Sequence, residues 1–190
     1  MKNTTNKIKL MAIIAFLAVA FISCGKKKAY DNADALGKLK TELVDKFGKD
    51  AHYTNFNVIN DENGTVVSVT VTKDPSSLKM EQWTSVNGSW KQNSEVTLEI
   101  SGNAKAEEFM FKLDKIMDID LLAKCVEEAK KKVVAEKKIA EVSVNTIGMN
   151  APSDGNFNTT KYFITIKPKQ GGTSFNFWYN LDGTLDKFDY

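Results

Sequence analysis

The chain has 190 residues, with 26 Lys+Arg against 24 Asp+Glu, one His and two Cys. All 26 cations are lysine, so the planar bidentate fork that arginine offers to phosphates, carboxylates and guanine edges is excluded. A lone His and two Cys likewise exclude a multi-histidine or four-cysteine metal site and a disulfide-dense scaffold, while 42% apolar and 26% charged residues are globular values.

Residues 1–9 carry Lys2, Lys7 and Lys9 and no acid, and Leu10 to Ile22 is an uninterrupted apolar run of 13 residues. That run is short for a bilayer-spanning helix. A basic start, a short apolar core and then small residues form the layout of a secretory signal. The following Phe21-Ile22-Ser23-Cys24-Gly25 resembles the lipobox of bacterial lipoproteins, with Phe21 where leucine is usual. The resemblance implies cleavage before Cys24, a diacylglyceryl group on its sulfur and an acyl group (palmitate-like) on its new amine. Several acyl chains on one cysteine make a stable membrane anchor. Gly25 after the cysteine resembles an outer-membrane address, periplasmic face or cell surface undecided. The expected organisation is therefore 1–23 signal peptide, 24–29 lipidated Lys-rich tether, and 30–190 one domain. Lys26-Lys27-Lys28 would lie beside the headgroups, where anionic lipid favours them, or serve as a plain solvated linker. With the signal removed, 23 lysines face 24 acids, and without the tether lysines 20 face 24. The working domain is mildly acidic.

Within 30–190 the sequence repeats. Val69-Thr70-Val71-Thr72 recurs as Ile164-Thr165-Ile166-Lys167, and Trp83, Val86, Asn87 and Gly88 recur as Trp178, Leu181, Asp182 and Gly183, all at an offset of 95. Upstream the offset is 86, pairing Leu36 with Leu122, Leu39 with Cys125, Leu43 with Ala129 and Phe47 with Val133. The difference places a nine-residue insertion around Gly148 to Thr159 of the second copy. The two repeats would span about 30–114 and 115–190.

Each copy opens with an amphipathic helix. Leu36, Leu39, Leu43 and Phe47 recur at helical period, with Asp31 or Asn32 as N-cap and Gly48 as stop. The second stripe is Leu121, Leu122, Cys125, Val126, Ala129, Val133 and Val134, with Glu127–Lys131 and Glu128–Lys132 as i,i+4 pairs. Lys130-Lys131-Lys132 reads as a wet helix face. No nucleic-acid partner is expected. Strands follow each helix: Phe56, Val58, Val67, Val69 and Val71 alternate at period two around the turn at Asn60–Gly64. Asn87-Gly88 and Asp182-Gly183 both suit two-residue type I′ turns. Glu95–Ile100 and Glu108–Leu113 read as added strands or a strand-rich bridge. The expected fold class is α+β, a tandem repeat of helix plus four-stranded antiparallel meander, with the helices on one sheet face. The two Trp-x-x-(Val/Leu)-(Asn/Asp)-Gly segments in such an architecture resemble PepSY-like proteins and beta-lactamase inhibitor protein. That resemblance implies a non-catalytic binding or inhibitory module that uses a sheet face.

Few residues carry chemistry. His52 lacks the Gly-x-Ser-x-Gly elbow a serine hydrolase would add. Asn60–Gly64 and Asp154–Asn156 do not fit a calcium loop, Gly171-Gly172 lacks the Lys-Ser/Thr of a phosphate loop, and Glu107-Glu108 and Glu127-Glu128 lie on wet elements. Cys125 reads as a small core residue. No catalytic residue, metal or cofactor is expected. If Val67, Val69, Val71, Tyr162, Ile164 and Ile166 face the helices, then Trp83, Trp178, Phe163 and Trp90 would form an aromatic patch on the opposite, uncovered face and bind a partner. The expected function is thus a lipid-anchored, non-enzymatic envelope lipoprotein of the outer membrane binding a protein or envelope partner. The alternatives are a surface-exposed structural or antigenic lipoprotein and a hydrolase using His52.

Overall fold

The computed structural model describes residues 29–100, 102 and 104–190. Cys24, the signal and tether residues 26–28 lie outside the described residues, and so do the lipobox expectations that rest on them.

The first helix, α1 (Ala33–Phe47), starts where Asn32 turns extended and its side chain accepts from Ala35 N–H. It stops at Gly48, whose φ of 95° suits a residue without a Cβ. Leu36, Leu39, Leu43 and Phe47 are its buried stripe. Four strands follow: β1 (His52–Asp61), β2 (Gly64–Thr72), β3 (Lys79–Val86) and β4 (Ser89–Thr97). The second helix, α2 (Ile119–Lys137), is capped by Asp118, which accepts from the amides of Asp120 and Leu121. Strands β5 (Val142–Asn150), β6 (Lys161–Pro168), β7 (Phe175–Asn180) and β8 (Leu185–Asp189) complete the chain.

The eight strands make one antiparallel sheet in the order β4-β3-β2-β1-β5-β6-β7-β8. Each helix-plus-four-strand half is a meander, and the halves join where β1 pairs β5, Phe56 opposite Met149. Leu36, Leu39 and Leu43 of α1 and Leu122, Val126 and Ala129 of α2 share one core with Val67, Val69, Val71, Ile164 and Ile166. Both α-helices therefore cover the same face, as the strand alternation implied. The helix–sheet reading is met in this coarse sense.

Local differences matter more. The segment between the halves does not add strands: β4 ends at Thr97, and residues 106–109 form a 3₁₀ turn. After it Phe111 and Leu113 make only single bridges, to Tyr53 and Met117. Met80, Ala106 and Met110 make a second small core with Leu78, Val96, Leu98 and Ile100. Met80 lies opposite Val96 in the sheet, on the face away from the helices. The linking segment thus covers one corner of that face.

The two expected type I′ turns also part company. Asn87 and Gly88 both have positive φ, 51° and 92°, as that turn requires. In the other hairpin only Gly183 is positive, at 84°. There the Asp182 carboxylate accepts from both the amide and the hydroxyl of Thr184, and Gly183 N–H donates to Asn180 C=O. Asp182 does not take a positive φ, and the loop widens to 181–184. On α2 the ion pairs run Glu127–Lys130 and Lys132–Glu136, not at the expected positions, and Val134 is 39% exposed rather than buried.

Candidate functional site

The face away from the helices is built from the alternate residues of the same strands. Directly opposed residues of an antiparallel pair point the same way. Phe163 opposes both Gly148 on β5 and Trp178 on β7. Gly148 in turn opposes Asn57 on β1. A Cβ at Gly148 would lie 2.3 Å from Phe163 Cζ and 2.7 Å from Phe56 O. The Phe163 ring therefore lies down on the glycine, in space that no other residue type would leave. Trp178 stands beside it with Lys187 Nζ 4.9 Å from its ring centre, a cation–π contact.

Around this aromatic pair the face is amide and hydroxyl. Asn55 Nδ2 donates to Asn150 Oδ1 at 2.6 Å, and Thr165 Oγ1 donates to Asn176 Oδ1 at 3.0 Å. Ser94 Oγ donates to Gln82 Oε1 at 2.7 Å. Asn57 Oδ1 is buried without a hydrogen-bond partner among the described residues.

The expected four-residue patch does not exist as one surface. Val69, which points into the helix-side core, opposes Trp83, whereas the outward Phe163 opposes Trp178. The two tryptophans, equal in sequence offset, therefore differ by one residue in strand phase. A one-residue slip sends a side chain to the other face. Trp83 lies edge-on to Phe47 at 5.8 Å between ring centres, under Lys46 Nζ at 4.0 Å, and its Nε1 donates to Glu81. Trp90 is 5.4 Å from the same Phe47 ring. Trp83 and Trp90 are helix-side residues at the rim of the core. Only Phe163 and Trp178 occupy the other face. Sequence reasoning found these two, but passed over Gly148 and Asn57; the signal available was a glycine inside a strand pattern, which marks a close approach.

Trp90 has a further role. Its Nε1 donates to Glu42 Oε1 at 2.6 Å, and Tyr30 Oη donates to Glu42 Oε2 at 3.1 Å. Tyr30 is 4% exposed. Its amide donates to Asn60 Oδ1, and Asn60 Nδ2 donates back to its carbonyl. Burial, and then the Glu42 charge, raise the Tyr30 phenol well above its ordinary range. The chain is thereby pinned where it enters the domain.

The remaining candidates have ordinary structural surroundings. His52 begins β1, with Nδ1 buried and unpaired among the described residues; burial, and then Lys112, lower its pKa. Cys125 lies in the core 3.9 Å from Gly183 O, its thiol pushed up to about 12 by burial, so the nucleophilic thiolate is suppressed. Asp114, Asp118 and Asp120 cluster at the start of α2, exposed, and Lys40 bridges Asp114 at 2.7 Å and Asp120 at 3.0 Å. An ammonium already sits where a cation would.

No family model matches the chain. No curated protein matches it either. Among solved structures it is similar to a candidate lipoprotein from Clostridium difficile 630, at 16% identity and a TM-score of 0.43, over 88% of this chain and 97% of that one. A likeness of that size decides neither fold nor function. Nothing in these comparisons supports the PepSY-like or beta-lactamase inhibitor protein resemblance. Among the described residues no helix is long and apolar enough to cross a membrane.

Proposed function

We propose that this chain is a lipid-anchored, non-enzymatic protein of the bacterial envelope, acylated at Cys24 and placed in the outer membrane. The basic start, the apolar run to Ile22 and the cysteine directly after Ser23 carry this reading, because a short uncharged core ending at such a cysteine is a processing signal more than a structural element. Its folded part binds a protein or other envelope component through the face that holds Phe163 and Trp178. The two half-buried aromatic rings, set among amides and hydroxyls on a face that no α-helix covers among the described residues, support that reading: large rings in a polar rim supply contact area at little entropic cost. We also propose that the two halves descend from one duplicated helix-and-meander unit, which the constant sequence offsets and the mirrored strand order support.

The test of the anchor is the intact mass of protein purified from its own membranes, with Cys24→Ser as control. The wild type is expected to lack residues 1–23 and to carry acyl mass on Cys24, and the variant to leave the membrane fraction. The test of the face is capture from native membranes. Phe163→Ala with Trp178→Ala should abolish capture, and Trp83→Ala, on the helix side, should not. Equal capture by the double variant overturns the assignment of that face.

A further inference from the structure

We infer that, once anchored, the domain docks by one defined end onto anionic lipid headgroups, and that the binding surface is the projecting C-terminal end of α2 together with the β6–β7 loop. This rests on the anchor reading above. The first support is the point of chain entry. Tyr30 is fixed by Asn60 and Glu42 at the end of the sheet that holds the β1–β2 turn. Six residue steps separate it from Cys24, a span of at most about 20 Å when fully extended. That end of the domain cannot leave the membrane surface by more than this.

The second support is what projects there. The helices run antiparallel, for Lys130 Nζ donates to Asp31 O while Lys40 pairs with Asp120. From the level of the chain entry α2 continues for residues 131–137, about 10 Å of helix at 1.5 Å per residue. That length is about half the reach of the tether. Two cavities flank the entry. One, about 650 Å³, is lined by Ala29, Asp31, Lys167 and Lys169 among others. The other, about 560 Å³, is lined by Lys130, Lys131, Val134 and Lys169 among others.

The third support is charge. Residues 130–138 carry five lysines and one acid, Glu136, and Lys167 and Lys169 stand beside them. Asp31, Asp61, Glu62, Glu141 and Asp189 are also at this end; Glu141 pairs with Lys169, Asp189 with Lys187 and Glu136 with Lys132, so the attraction is concentrated on Lys131, Lys137 and Lys138 at the tip of α2. At the opposite end, residues 98–120 carry six acids and three lysines. A molecule polarised in this sense is oriented by a negative surface, within the screening length of about 8 Å that physiological salt allows. The exposed Val134 lies among these lysines, at the depth where an apolar side chain meets the headgroup boundary.

The experiment is lysine acetylation footprinting of full-length acylated protein, read residue by residue by mass spectrometry. The protein is reconstituted in vesicles of phosphatidylcholine alone or of equimolar phosphatidylcholine and phosphatidylglycerol. On the anionic vesicles Lys131, Lys137, Lys138, Lys167 and Lys169 are expected to react several-fold more slowly than on the neutral ones, with Lys73, Lys79 and Lys105 unchanged. Combining K131E, K167E and K169E should restore fast reaction at Lys137 and Lys138 without changing the melting temperature. Equal rates on both vesicles, or slowing at Lys73, Lys79 and Lys105, overturn the docking surface. Intact mass separates the two readings. Protein without acyl mass on Cys24 overturns the anchor, whereas acylated protein with equal rates overturns only the orientation.

Discussion

The two halves of the sheet differ most in which way their matching tryptophans point. Trp83 turns toward Phe47 and the helices, while Trp178 turns with Phe163 to the other face. Two further differences go with this one. The β3–β4 hairpin closes through two positive-φ residues, and the β7–β8 hairpin through Asp182 capping Thr184. The β1–β2 strands meet in a tight turn, whereas β5 and β6 are joined by residues 151–160 with a 3₁₀ turn inside. The strand order is thus mirrored between the halves, while the phase of β3 and of β7 follows from the register each takes on its neighbour, Val69 opposite Trp83 and Phe163 opposite Trp178. In this protein one half packs its tryptophan against Phe47 at the rim of the helix-side core, and the other sets it beside Phe163 on the opposite face.

That contrast can be broken by substitution, the largest effects first. Trp83→Ala should lower stability by about 2–4 kcal/mol, because it removes a large ring packed at the rim of the core. Trp178→Ala should cost less, because its ring stands on the other face and not against the helix-side core that Trp83 packs on. Urea unfolding of both variants checks this, and equal losses would show that the two rings do equivalent work. Gly148→Ala should cost about 1–3 kcal/mol, since the new methyl meets the Phe56 carbonyl as well as the Phe163 ring and only the ring can move. Pairing it with Phe163→Ala should recover part of the loss but not all of it.

Asn87→Ala should cost about 1–2 kcal/mol, because alanine is strained at φ 51° and the amide of Thr65 loses its side-chain acceptor. Asp182→Ala, at a turn position without a positive φ, should shift the melting temperature less. Finally, the domain should lose stability in alkali. Burial raises Cys125 from 9.0 to about 12 and Tyr162 from 10.0 to about 12, and also raises Tyr30, Tyr53 and Tyr179. Groups whose folded pKa is raised contribute stability in full below the unfolded value, and that contribution fades as pH rises through the folded one. Thermal melts should therefore hold steady to about pH 9 and fall between about pH 9 and 12. Cys125→Ala should delay the onset to about pH 10, where the tyrosines of the unfolded chain begin to ionise. No shift of onset would place the first alkaline titration elsewhere.

The sequence by itself was sufficient for the two helices, their buried stripes and the inward strand residues. Periods of 3.6 and 2 are local properties that any helix or strand must satisfy to bury a face. The processing signal proposed for residues 1–24 is likewise a linear pattern, of a kind read before a chain folds. Single-residue phase was not legible in the same way. The registers of β3 on β2 and of β7 on β6 depend on cross-strand partners that no local pattern names, so aligning Trp83 with Trp178 put both on one face. The seat of Phe163 on Gly148, the lock of Tyr30 on Asn60 and Glu42, and the length by which α2 overshoots the chain entry likewise required the tertiary structure. Each joins residues 12 or more positions apart, and no local pattern records a distance of that kind.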